Sequence, residues 1–514
     1  MIAAHLRRQL AVAAAVAVLI ALWIVGGRSG WANGMVVTPH EAVRPLLSDR
    51  SRPVYWRALQ ATASSAGRGM IIGSALGIAA AMAASAVPAV NRVVTRIAAL
   101  SNATPWVVVG PFLLIVLGRD RGPIGLASIA ALFPMFVCSY AGLTSSPGAG
   151  LDVVHAHGAS RWRVLSSVRI PAALPSMIDG LRLAAPAALA GAVFGEWYGA
   201  PRGLGVLLVA AMQGARPERL WAASLLAVAL AALLYALLSI VAALVARRFG
   251  RPSAPARPAP RQRSGLRRII ADGIGTIAFV AVATASWSIW LRVADVSPIV
   301  VPPPGKVFHD VTAHLGLYVA ASGHTLLTAG LALLIGSAFA LAAAFAASWS
   351  RFLAALSVPV VIALAATPLV ALFPLLARML GYGPGTVRAL AAIMVFFPVF
   401  VQTRAGLLGT PSGATDVMNS LGASNWSRFS HVVVPAAVPR IITGLRLAIG
   451  SSVVAAVVGE SLIGRHGLGV EFTYAYNLLD LPRAFGAALV IVFVSLVTFS
   501  AATAAEISLH ARWI

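Results

Sequence analysis

The chain has 514 residues, 59% of them hydrophobic and 11% charged, where a soluble domain carries about 25% charged residues. That composition excludes an ordinary globular enzyme, and the single cysteine, Cys138, excludes an intrachain disulfide. The formal net charge of +24 suits basic loops retained on one side of a bilayer better than nucleic-acid binding, because Arg and Lys set the orientation of membrane spans. Apolar runs long enough to cross a bilayer recur throughout. The expected fold is an all-α polytopic membrane protein of about twelve transmembrane helices, since only helices satisfy their own backbone in lipid without closing a barrel.

In chain order, Arg7 and Arg8 precede an apolar run from about Leu10 to Val25. A secretory signal has this form. The same pattern recurs internally, where Arg267 and Arg268 precede a run from about Ile269 to Leu291, so both are read as membrane anchors. Residues 27–60 are mixed and polar and are expected outside. The next span, about 66–86, contains GSALGIAAAMAAS, and its partner from Gly336 reads GSAFALAAAFAAS. Small residues at this density let helices pack closely in lipid. A span of about 97–117 is interrupted by Pro105 and Pro111, either gate kinks or tolerated irregularities. Arg119 to Pro123 makes a short outer loop, and a span of about 124–142 follows. The fifth span, about 177–197, ends in GEWYGAPRGLG, and its partner ends in GESLIGRHGLG. The sixth is about 220–246.

Arg247 to Arg268 contains eight arginines, four prolines and no acidic residue. It reads as an extended cytosolic linker, which requires an even number of spans before it. The expected organisation is a first domain over 1–246, a linker over 247–268 and a second domain over 269–514. The spans of the second domain fall near 269–291, 326–348, 358–378, 387–405, 441–461 and 484–505, with both termini in the cytosol of a multi-pass cell-membrane protein.

Between the fourth and fifth spans of each half lies a polar stretch. DVVHAHGASRWRVLSSVRIPAALPSMIDGLRL from Asp152 and DVMNSLGASNWSRFSHVVVPAAVPRIITGLRL from Asp416 align without a gap at an offset of 264, with 17 of 32 positions identical. The local grammar is helix, turn, helix. Ser146-Pro147 and Thr410-Pro411 suit a helix start. Gly158 and Gly422, followed by Ala159 and Ala423, suit a left-handed stop. Ser160 and Ser424 can cap a second short helix, which Pro171 and Pro435 are expected to end.

This pattern resembles the EAA loop of ABC-importer permeases: an acidic residue, a glycine six positions later, and a hydrophobic-x-hydrophobic-Pro ending thirteen beyond the glycine. Here these are Asp152, Gly158 and Val168-Arg169-Ile170-Pro171, then Asp416, Gly422 and Val432-Val433-Val434-Pro435. Both copies carry Asp for the usual Glu and lack the Ala-Ala pair. The outer proline-rich segment, the PAALPxxxxGLRLA ending and the Gly-Glu…Gly-Leu-Gly run look most like the nitrate, taurine and alkanesulfonate branch. The resemblance implies two parallel six-helix type I permease repeats, with coupling loops at about 143–176 and 407–440 that dock on two ATP-binding subunits. It also implies an external substrate-binding protein and inward movement of a small solute by alternating access. The rival is a twelve-span secondary transporter of the major-facilitator kind, which has no need for a twice-repeated polar insert.

Four charged residues lie near the membrane. Arg182 and Arg446, in Gly-Leu-Arg-Leu, sit near the inner end of each fifth span and can snorkel to the interface, with Asp179 in reach of Arg182 at i,i+3. Glu196 and Glu460 lie 14 residues further on, near the outer face. They either orient the Gly-Leu-Gly loop or serve as a gate or docking group. The only lysine, Lys306, lacks the glycine and the Ser or Thr of a phosphate-binding loop, because Val300 and Val307 stand there. The chain is therefore expected to be no enzyme and to take its ATPase from a partner. No cofactor is expected, and His155 and His157, two apart on a helix, do not share a face for a metal.

Overall fold

The computed structural model describes residues 2–30, 34, 36–87, 91, 94, 105–145, 154, 156–214, 216–249, 266–295, 297–298, 301–350, 352–357, 369–410 and 412–513. The fold is all-α, and no strand occurs among these residues. In the first half the helices are α1 (Ile2–Arg28), α2 (Pro39–Leu47), α3 (Arg52–Ala86), α4 (Trp106–Leu117), α5 (Gly122–Thr144), α6 (Ile170–Trp197), α7 (Leu204–Gln213) and α8 (Pro217–Phe249). In the second half they are α9 (Leu266–Val293), α10 (Pro304–Ala313), α11 (Leu315–Trp349), α12 (Leu369–Leu380), α13 (Pro384–Leu408), α14 (Ser412–Ser420), α15 (Val434–Ile463), α16 (Leu468–Asn477) and α17 (Leu481–Trp513).

Eight helices among the described residues are long and apolar enough to cross a membrane: α3, α5, α6, α8, α11, α13, α15 and α17. The other four expected spans correspond to α1, α4, α9 and α12. Residues 95–104 of the third span and 358–368 of its partner lie outside the described residues. The polar stretch 27–60 is not a plain loop. Thr38 and Glu41 form a capping box that starts α2, and the second span begins at Arg52, well before the apolar run. The ends of the arginine-rich linker are likewise helical, with Arg247 and Arg248 in α8 and Arg267 and Arg268 in α9. Residues 250–265 lie outside the described residues.

Each half is built around three helices. In the first, α5 packs against α3 and α6. The small-residue run makes this possible. A Cβ added at Gly73 would lie 2.2 Å from the backbone oxygen of Ser128, and one at Gly336 would lie 2.5 Å from that of Ala392. Backbone therefore touches backbone where α3 crosses α5 and α11 crosses α13, and dispersion between close helices replaces the hydrophobic effect that lipid cannot supply. The outward faces are apolar instead: Ile71, Leu76, Leu334, Phe339 and Phe493 are all exposed, as lipid-facing side chains are. The halves meet through α4, whose Phe112 packs on Phe472 and Phe485 of the second half. Around it, Val108 and Phe194 share one core with Tyr318, Val457, Leu468 and Ile491.

Candidate functional site

Two features recur in both halves, one at each end of the same helix. The first is the repeated polar loop. In the second half α14 exposes Asp416 and Val417, and Leu421, just past its end, is 74% exposed. Gly422 stops the helix at φ +68°. The stop is a Schellman turn: Ala423 N–H donates to the Met418 carbonyl at 3.0 Å and Gly422 N–H to that of Asn419 at 3.1 Å. Ser424 Oγ then accepts from Ser427 N–H at 3.1 Å and caps the next turn. Trp426 and Phe429 pack at a tilt against Trp349, with ring centroids 5.4 and 4.8 Å away, which pins this loop to the end of α11. The first loop repeats the turn, with Gly158 at φ +68° and Ala159 N–H donating to the Val154 carbonyl at 3.2 Å. Ser160 accepts more loosely, from Arg163 N–H at 3.4 Å. Its tryptophan, Trp162, is 76% exposed.

Asp152 and Ser146-Pro147 lie outside the described residues, as does Pro411. The Thr410 hydroxyl donates backward to the Leu407 carbonyl at 3.2 Å.

Pro171 and Pro435 do not end a helix. Arg161–Val164, a π-turn over Leu165–Arg169 and α6 form one helical run, and Asn425–Arg428, a π-turn over Phe429–Val433 and α15 form another. The prolines sit just past the π-turns. A proline inside an α-helix clashes with the carbonyl four residues back. Here the preceding residues, Ile170 and Val434, bond five back, to the Leu165 and Phe429 carbonyls. This wider turn relieves the clash while the helix continues. The fifth span therefore starts at the loop itself. The runs Trp162–Trp197 and Asn425–Ile463 hold 36 and 39 residues, or roughly 54 and 58 Å at 1.5 Å per residue. The hydrocarbon core is only about 30 Å thick, so each run projects beyond it.

At the far end stand Glu196 and Glu460, 1% and 3% exposed. Glu196 Oε2 accepts from Thr62 Oγ1 and from Gly205 N–H, both at 2.9 Å, while Thr62 Oγ1 accepts from Leu204 N–H at 2.8 Å. In the second half Glu460 Oε2 accepts from Thr325 Oγ1 at 2.8 Å and Gly469 N–H at 3.1 Å, and Thr325 Oγ1 accepts from Leu468 N–H at 2.9 Å. Carboxylate and threonine together satisfy the free N–H groups at the start of α7 and of α16 and lock three helices into one corner. Gly203 and Gly467, at φ +141° and +118°, lie directly against the carboxylates. Sequence reasoning found the glutamates and missed the threonines.

Arg182 and Arg446 lie between loop and corner. Arg182 Nη1 is 2.9 Å from Asp179 Oδ1, and Arg446 Nε is 3.0 Å from Glu506 Oε2.

The family model for the inner membrane component of binding-protein-dependent transport systems matches twice, over residues 73–251 and 319–508. A probable ABC transporter permease protein of Haemophilus influenzae is 31% identical over 221 residues, 43% of this chain and 90% of the relative. A riboflavin transport system permease protein of Chloroflexus aurantiacus is 31% identical over 163 residues, 32% of this chain and 60% of the relative. A putative aliphatic sulfonates transport permease protein of Bacillus subtilis is 28% identical over 233 residues, 43% of this chain and 80% of the relative.

Proposed function

This chain belongs to the family of binding-protein-dependent transport system inner membrane components, which sets the secondary-transporter reading aside; on that premise we propose that it is both permease halves of an ATP-driven importer in one polypeptide. The two domains are 1–246 and 269–514, joined by a cytosolic linker. An external binding protein delivers a small solute, two ATP-binding subunits dock on the two loops, and their closure rocks the halves between outward and inward access. The observation that carries this reading is the pair of equivalent loops, each with a glycine stop and an exposed tryptophan, each continuous with a helix that reaches the opposite end of the molecule.

Within that scheme Asp152, Gly158, Ala159, Ser160 and Pro171 shape the first docking loop, and Asp416, Gly422, Ala423, Ser424 and Pro435 the second. Glu196 and Glu460 hold the outer corner; being buried, they act through the helices they join. The resemblance to the sulfonate and nitrate branch favours a small anion or a related organic solute as cargo.

Two measurements test the proposal. The purified chain alone should hydrolyse no ATP and should bind the ATPase in two copies. Robust hydrolysis by the pure chain overturns the proposal, and a one-to-one complex removes the equivalence of the loops. Cysteines placed at Ser253 and at Ala313 should label from opposite sides of the membrane, Ala313 from outside. Labelling of both from one side overturns the topology.

A further inference from the structure

We propose that Arg182 and Arg446 are clamps that hold the sixth span of each half to its fifth, and that the carboxylate balancing the arginine sits on a different helix in each half. In the first half the carboxylate is on the arginine's own helix. Asp179, one turn before Arg182, takes Nη1 at 2.9 Å. The guanidinium then reaches across to α8, donating from Nε to Ser239 Oγ at 3.1 Å and from Nη2 to Tyr235 Oη at 3.0 Å, with its carbon 5.0 Å over the Tyr235 ring. Three donor groups thus find three acceptors, two of them on the neighbouring span.

In the second half the equivalent of Asp179 is Thr443 and the equivalent of Tyr235 is Phe499, so two acceptors of the first clamp are missing. A charged group left there would be costly in a membrane. The replacement comes from α17. Glu506, which stands where the first half has Ala242, brings Oε2 to 3.0 Å from Arg446 Nε, a contact set by charge because the N–H does not point along it. Its other oxygen accepts from Thr443 Oγ1 at 2.7 Å. The guanidinium carbon still lies over the ring, 5.8 Å from the Phe499 centroid. Both halves therefore keep one arginine, one carboxylate and one aromatic ring, and in both the arginine bridges the fifth span to the sixth. A snorkelling arginine would need none of these partners.

The clamp stands on geometry alone, whereas its use in transport rests on the function proposed above, so the test reads the two separately. Hydrogen exchange is followed for the full chain in lipid nanodiscs. Glu506→Ala should raise exchange at least tenfold in residues 499–509 of α17 and leave the equivalent part of α8 unchanged. Adding Thr443→Asp and Phe499→Tyr rebuilds the first-half clamp in the second half, with Thr503 standing where Ser239 stands, and should bring exchange back to within about threefold of the parent. The reverse set, Asp179→Thr with Tyr235→Phe and Ala242→Glu, should leave α8 as protected as before and guards against misfolding of one triple variant. Unchanged exchange in Glu506→Ala, or, with both triple variants folded, no recovery of α17 in the first and raised exchange of α8 in the second, overturns the clamp. The same variants are assayed for transport with the ATPase bound. Exchange that responds as expected while transport does not would keep the clamp and count against the proposed motion of the halves.

Discussion

Gly467→Val should prevent the Glu460 corner of the second half from forming, and Gly203→Val should do the same to the Glu196 corner of the first. At φ +118° and +141° an L-residue is strained in a region that is essentially glycine's own, at about 1–3 kcal/mol. The added Cβ would also lie 2.3 Å from Glu460 Cδ and 2.1 Å from Glu196 Cδ. Neither carboxylate can step aside without leaving a threonine hydroxyl and a helix N–H unpaired in a buried site, at roughly 1–3 kcal/mol for each group. A combined loss of about 3 kcal/mol or more is a large share of a typical domain's stability. Thermal unfolding of the detergent-purified chain should show a markedly lower midpoint for either variant, with Gly305→Val as a control, since a Cβ there meets nothing within 4 Å. Glu460→Ala alone should cost less, about 2–6 kcal/mol for the two donors it orphans. Added to Gly467→Val it should cost little more, because the displaced carboxylate has already left the same two donors unpaired. A Gly467→Val variant with a parental midpoint would show that the corner is not rigid.

Gly158→Val or Gly422→Val should leave expression and insertion intact but weaken ATPase docking. The glycines sit in open space, with nothing within 4 Å of an added Cβ, so the whole penalty is conformational. A left-handed L-residue costs about 1–2 kcal/mol, and a β-branched one fits worst. If the docked loop must keep its Schellman turn, that is roughly a 5- to 30-fold loss of affinity for each loop. Binding of the ATPase to reconstituted single and double variants decides it. The double variant should be weakest, and parental affinity in all three would show that these loops are not the docking site.

Much of this architecture is legible in the sequence because its signals are local or repeated. The offset of 264 between the loops, the glycines of the small-residue runs and the position of the glutamates need no third dimension. What the sequence hides is partnership across the fold. Thr62 meets Glu196 from 134 residues away, and one threonine among many carries no mark of that. Glu506 answers Arg446 from 60 positions later, on another helix. Pro171 and Pro435 mislead for a different reason. Proline is read as a stop because it conflicts with a bond four residues back, and a turn that bonds five back removes that conflict without altering the sequence signal.

The unequal clamps carry a consequence for how such a molecule can change over generations. Moving a carboxylate from one helix to another passes through a form with both acids or with neither, and either leaves an unbalanced charge beside the arginine. Where two identical copies of one gene product pair, any such step is written into both copies and its penalty is incurred twice. In this polypeptide the step falls on one half while the other keeps its working arrangement. Joining the halves end to end thus opens routes of divergence that a symmetric pair would find blocked.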